Sequence, residues 1–274
     1  MNWNLKEDAF SRTLIAAHRG VAGGDIPGNT LEAFDTALCQ GADMIELDVS
    51  HTSDGELFVF HPGMEPVFLH SNRLLKDMTA DEARKLYYFN GDGAQTQKKL
   101  STFDEALEHL KGRCYINVDK FWENVEGITG TIRRHGMADQ ILVKTAPDEA
   151  ITDWLEQNAP EINYMLILSE EDRHSERMLR RHLNYVGVES LFARENCPIA
   201  GEKYAEWMRT HGLLRWGNAI VYSYKAVLAA GHDDNRSAPG HMDEGWGWLL
   251  EHGFNIIQTD WPMMLRSYME RRSR

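Results

Sequence analysis

At 274 residues and 42% hydrophobic content, the chain suits one large α/β domain with a sizeable core, and no low-complexity tract interrupts it. A formal net charge of −13 argues against a nucleic-acid partner, because phosphate backbones demand clustered Lys and Arg. The basic tail Arg271-Arg272-Ser273-Arg274 is too short to change that. No apolar run approaches the roughly 18 residues of a membrane span, and the octet Met1 to Asp8 lacks the apolar core of a secretory signal. Cys39, Cys114 and Cys197 are odd in number and far apart, so reduced thiols and a cytoplasmic location are expected.

The first predicted strand, Leu14-Ile15-Ala16-Ala17, ends in His18-Arg19-Gly20. A glycine-rich loop follows, and Thr30 stands as N-cap of a helix carrying Leu31, Ala33, Phe34, Ala37 and Leu38. Gly41 closes that helix and leads into Met44-Ile45-Glu46-Leu47-Asp48-Val49. Side chains on a strand alternate faces, so Glu46 and Asp48 point one way while Ile45, Leu47 and Val49 point the other, under helices. Two carboxylates in an apolar strand repel and lose hydration, which costs several kcal/mol unless something positive joins them. A divalent ion is the simplest partner; an Arg or Lys, or a solvated sheet edge, is the alternative. The turn signal Asp54-Gly55 precedes Leu57-Phe58-Val59-Phe60-His61. That segment therefore reads either as a hairpin partner of the preceding strand or as a separate wall.

Residues 62–100 read as an insertion, with Thr79 and Glu82 spaced as a capping box. Beyond it an apolar strand and an amphipathic helix alternate. The strands are placed at Cys114 to Asp119, Ile141 to Thr145, Tyr164 to Leu168, Val186 to Leu191, Leu213 to Asn218 and Asn255 to Asp260. The rhythm predicts a parallel sheet with crossover helices, and about eight repeats without a dinucleotide-binding fingerprint favour closure into a (β/α)8 TIM barrel. Such a barrel would bring His18, Glu46, Asp48, His61 and Asp119 to the C-terminal ends of its strands.

The pattern His18-Arg19-Gly20, Asn29-Thr30, Ala33-Phe34, Gly41-Ala42-Asp43, Glu46-Leu47-Asp48-Val49, Thr52, Asp54-Gly55 and His61 resembles the glycerophosphodiester phosphodiesterase family. The resemblance implies a single barrel domain over 1–274 that hydrolyses glycerophosphodiesters to an alcohol and glycerol phosphate. It implies Glu46, Asp48 and Asp119 as metal ligands, His18 and His61 as acid and base, and the substrate's own glycerol hydroxyl as nucleophile. Three carboxylates without thiolates or paired histidines suit a hard ion, Mg²⁺ or Ca²⁺. Arg19 offers a planar fork for phosphate oxygens, with a salt bridge as its alternative. Lys144 matches a family lysine and serves either as a point charge for phosphate or as an ion-pair partner. Trp216, in Trp216-Gly217-Asn218, resembles a family residue whose ring lines the alcohol pocket. Glu189 and Phe192 stand where family members line the site. Thr259-Asp260-Trp261-Pro262 resembles the closing signature, in which Asp260 is expected to fix a loop or a side chain.

This chain departs from the family at Gly28, usually glutamate, and at Pro62, usually aspartate. Lys120 directly follows Asp119, one position earlier than the family's lysine, so its side chain is expected to start on the opposite face. His232, Asp233, Asp234, Trp246 and Trp248 are expected to be surface packing in a long loop and helix start. Two other functions remain in view: a lysophospholipase D-type enzyme with an apolar groove, and a barrel that binds phosphate esters without turning them over. The implied partner is in each case a small phosphodiester.

Overall fold

The computed structural model describes residues 3–272; Met1, Asn2, Ser273 and Arg274, from the N-terminal octet and the basic tail, lie outside the described residues. Its strands are β1 (Leu14–His18), β2 (Met44–His51), β3 (Leu57–Val59), β4 (Tyr87–Phe89), β5 (Gln95–Lys99), β6 (Tyr115–Asp119), β7 (Ile141–Thr145), β8 (Asn163–Ser169), β9 (Tyr185–Leu191), β10 (Leu214–Asn218) and β11 (Ile256–Thr259). β1, β2 and β6 to β11 pair in parallel, and the β1–β2 pairing closes the ring. The fold is the (β/α)8 barrel that the alternation predicts. β3 is not a barrel wall. It turns back antiparallel on β2, with Val49 opposite Val59 and His51 opposite Leu57, so the hairpin reading of Asp54-Gly55 holds.

Alternation along the strands separates two layers. Ile45, Leu47 and Val49 face outward into the shell between sheet and helices, with Ile15, Ile116, Val143 and Val188. Leu14, Ala16, Met44, Tyr115, Leu142, Met165, Leu214, Trp216 and Ile256 fill the barrel interior near the N-terminal ends of the strands, plugged by Leu5 and Ala9 of the first helix. The helix Leu31–Cys39 starts where Thr30 accepts from the Ala33 N–H, as its spacing predicts. In the insertion, the Thr79–Glu82 capping box is complete. Phe60, Leu69, Leu75, Met78 and Tyr88 give this segment a small core of its own.

Candidate active site

Each of the eight barrel strands sends at least one side chain into a cavity of about 480 Å³ at the C-terminal end: His18, Glu46, Asp119, Lys144, Ile167, Glu189 with Leu191, Asn218 and Gln258. Arg19, His61, Lys120, Trp122 and Tyr222 complete its wall from the loops. A larger hollow, about 940 Å³, lies at the opposite end beside Phe10, Leu213 and Asn255, and two of its carboxylates, Glu206 and Glu251, are paired with Arg209 and Arg272. Among the described residues, three carboxylates gather as possible metal ligands at the C-terminal cavity.

Strand register brings the carboxylates together. His18 stands beside Glu46 across β1 and β2, and Asp48 beside Asp119 across β2 and β6. Oxygens of Glu46, Asp48 and Asp119 lie within 4.8 Å of one another. The Glu46 carboxylate accepts the Arg19 backbone N–H at 2.9 Å. Asp48, 1% exposed, accepts the Asn29 amide at 2.9 Å and faces Arg19 Nε at 2.9 Å. Its other oxygen is buried without a hydrogen-bond partner. Burial, then the charges of Asp48 and Asp119, pushes Glu46 up to about 7. Burial also works to raise Asp119, but Lys120 and Lys144 outweigh it and hold that carboxyl below its usual range. An all-oxygen cluster with one orphaned carboxylate oxygen and a strained Glu46 fits a hard divalent ion.

Arg19, Asn29 and Lys120 adopt left-handed backbone at φ of 56°, 60° and 59°, an uncommon choice outside glycine. For Lys120 this overturns the expectation from its spacing. The turned backbone brings the side chain back to the cavity, with Nζ 2.5 Å from Asp119 and 3.7 Å from Asp48. Both the cationic partners and the room for a metal are thus present at the carboxylate pair.

The two histidines differ. His18 Nδ1 lies 2.9 Å from Asp260, so the side chain that Asp260 fixes is the catalytic candidate itself. Burial works against a charged His18 ring, but the Asp260 hydrogen bond and Glu46 outweigh it and raise the ring above its ordinary value. His61 Nδ1 donates to the Pro62 carbonyl at 2.8 Å, leaving Nε2 4.0 Å from Asp48. Burial, with Arg19 and Lys120 adding to it, holds His61 below the ordinary value although Asp48 opposes the shift. Pro62 therefore supplies an orienting acceptor where the family pattern has a carboxylate.

Lys144 serves as ion-pair partner and cavity wall at once, 2.5 Å from Glu189 and 3.7 Å from the Trp216 ring centre. Trp216 does not line the cavity as its motif implied. It is fully buried, its ring supporting Lys144 from below and its N–H bonding Asn218 at 2.9 Å. Phe192 likewise belongs to the core against Trp248 and Phe254, whereas Glu189 reaches the site. Asp234 and Trp246 are buried rather than surface residues. Sequence reasoning missed Gln258, Ile167 and Tyr222. Only the position of Gln258 just before Thr259-Asp260 offered a signal.

A model of the glycerophosphoryl diester phosphodiesterase family matches residues 18–201, more than half of the chain. The chain belongs to that family. A second model, described as a domain of unknown function, matches residues 164–269. A glycerophosphodiester phosphodiesterase from Caldanaerobacter subterraneus is 43% identical over 132 residues, 48% of this chain and 51% of that protein. The chain thus spans about half the length of that relative. An uncharacterized Bacillus subtilis protein is 33% identical over 211 residues, covering 74% of this chain and 84% of its own length. In structure, a Parabacteroides distasonis glycerophosphoryl diester phosphodiesterase shares the fold with a TM-score of 0.78 at 18% identity, over 99% of this chain and 94% of that one. An Oleispira antarctica phosphodiesterase, solved with the product sn-glycerol-3-phosphate, shares it at 0.69 and 18%, over 96% and 99%.

Proposed function

We propose that the protein hydrolyses glycerophosphodiesters to an alcohol and glycerol phosphate. The observation that carries this reading is the pair of histidines whose surroundings push their protonation in opposite directions on either side of three carboxylates. Glu46, Asp48 and Asp119 would hold the divalent ion, Mg²⁺ or Ca²⁺. When bound, such an ion would supply positive charge against a phosphate oxygen in the transition state. Arg19, held by Asp48, and Lys144, held by Glu189, add positive charge for the remaining phosphate oxygens.

His61, neutral and with its Nδ1 proton committed to Pro62, presents a lone pair at Nε2 and takes the proton of the attacking hydroxyl. His18, charged and with Nδ1 bound to Asp260, gives its Nε2 proton to the departing alcohol. The attacking hydroxyl is the substrate's own, next to the esterified carbon, so little translational entropy is lost. The P–O bond to the alcohol breaks as the ring closes, and water then opens the cyclic phosphate with the histidines in exchanged roles. Trp216 acts here beneath Lys144 rather than on the alcohol. Three free thiols, two of them buried, agree with a reducing cytoplasm as the site of action. No helix among the described residues is long and apolar enough to cross a membrane.

One observation favours a second reading, a lysophospholipase D-type activity. Trp122 and Tyr222 are large apolar residues left exposed on the cavity wall, and Tyr224, Val227, Trp261 and Met263 are exposed in segments that follow strand C-terminal ends. An acyl chain on the substrate would cover them. A panel of diesters with and without an acyl chain, assayed with Mg²⁺, Ca²⁺ and chelator, separates the readings. Metal-dependent release of alcohol from glycerophosphodiesters is expected; phosphate-ester binding without turnover of any member of the panel would overturn it.

A further inference from the structure

The chemistry above uses one nitrogen of His18. The other leads away from the cavity into a buried chain of hydrogen bonds. Asp260, which holds Nδ1, has a side chain 45% exposed, so packing alone does not fix it. Its backbone N–H, however, donates at 2.8 Å to one oxygen of Asp234. Asp234 is 3% exposed, and its other oxygen accepts from the Thr259 hydroxyl at 2.7 Å and the Trp246 indole at 2.8 Å. The Thr259 hydroxyl also accepts the Trp261 N–H at 2.9 Å, so its own proton is committed to Asp234. Through its backbone N–H, Asp234 is tied to the Ala219 carbonyl at 2.8 Å, just beyond β10. The Asp234 carboxylate therefore holds the Thr259 side chain and the Asp260 backbone, and the backbone N–H of Asp234 anchors it just beyond β10.

That clasp is expensive to build. Burial, with the charge of Asp260 adding to it, pushes Asp234 up to about 7 against the three donors that work to lower it. Only an acceptor with two free oxygens satisfies three converging donors; an asparagine offers one oxygen and two further donors. Building on the reading of His18 as general acid, we propose that Asp234 is a positioning residue for the phosphodiester reaction. It fixes the backbone of residues 259–261 so that Asp260 stays against Nδ1 of His18, which keeps Nε2 aimed into the cavity.

The test combines D234N, T259V, D260N and the D234N/D260N double variant. The first readout needs no turnover: NMR titration of the His18 ring, assigned by its loss in H18A. Asp260, Glu46, Arg19 and the Tyr222 ring face His18 and remain in D234N. D234N and D260N are each expected to lower the His18 pKa by about half a unit or more, and the double variant no further than D260N. In turnover of a glycerophosphodiester, D234N should lose about tenfold in kcat, part of what a positioned acid contributes, with KM little changed. T259V, which removes one donor, should move both readouts the same way by less. An unchanged His18 titration in D234N overturns the proposal, as does a full further drop when D234N is added to D260N, which would mark a through-space charge effect. If D234N does not fold, T259V decides: a lowered Tm with an unchanged titration makes Asp234 a structural staple only. Absence of turnover in the wild type would overturn the functional reading, while the titration still decides the role of Asp234.

Discussion

The two ends of the barrel interior are built from the same eight strands and have opposite priorities. Toward the N-terminal ends, Leu14, Met44, Leu142, Met165, Leu214, Trp216 and Ile256 interlock without a polar atom left over in their side chains beyond the Trp216 N–H, which Asn218 accepts at 2.9 Å. Two to four residues further along, the same strands present Glu46, Asp119, Lys144, Glu189 and Asn218 around open space. Burial there raises Glu46, and Asp48 keeps an orphaned oxygen. The lower half is arranged for stability and the upper half for a ligand. A barrel can tolerate like charges facing each other because the packed layer beneath them supplies the stability they subtract.

Truncation breaks that comparison most sharply. Trp216→Ala should cost about 3–5 kcal/mol in chemical denaturation by leaving a cavity in the packed layer. Glu46→Gln, in the upper half, should leave metal-free stability unchanged or higher, because burial and the charge of Asp48 raise that carboxyl and its ionised form costs stability at neutral pH. A large loss for Glu46→Gln would show that this carboxylate stabilises the fold. His18→Ala and His61→Ala should each lower kcat by about a hundredfold or more while Tm stays near wild type. Full activity in both would remove the histidines from the mechanism.

The pH profile sharpens the contrast within the upper half. His61 must be neutral to accept a proton, and its pKa is lowered, so the acidic limb of kcat/KM should fall below the ordinary histidine value near 6.5. His18 must be charged to donate, and its pKa is raised, so the basic limb should fall above that value. Asp260→Asn should draw the basic limb downward and leave the acidic limb in place. Equal displacement of both limbs would contradict the assignment of acid and base.

Smaller effects separate backbone from charge at Lys120. Lys120→Gly relieves the left-handed backbone and removes the ammonium, whereas Lys120→Ala removes the ammonium and keeps about 1 kcal/mol of strain. The two should have similar activity and differ in Tm, the glycine variant being the more stable. The smallest effects belong to the family departures. Pro62 already offers its carbonyl to His61, and a β-carbon at position 28 would press on Arg19 at 3.2 Å. Gly28→Glu and Pro62→Asp should therefore alter kcat only modestly. A rise of several orders of magnitude in either would mark the native chain as an impaired enzyme.

By itself, the order of residues determined the barrel and named most of the candidate site residues. Period-two alternation with turn signals places strands and helices, and a strand that ends in His18 or carries Glu46 and Asp48 announces its chemistry locally. Tertiary structure decided what depends on neighbours distant in sequence. Asp260 meets His18 across 242 positions, and Asp234 reaches Asp260 through a loop whose burial no local pattern reveals. Lys120 turns into the cavity through a backbone angle that spacing cannot specify, and Trp216 sinks beneath Lys144 because it joins the packed interior layer with Met165 and Leu214. Local periodicity says which face a side chain leaves from. Closure of the ring decides what that face meets, and so why the surroundings of His18 and His61 push their protonation in opposite directions.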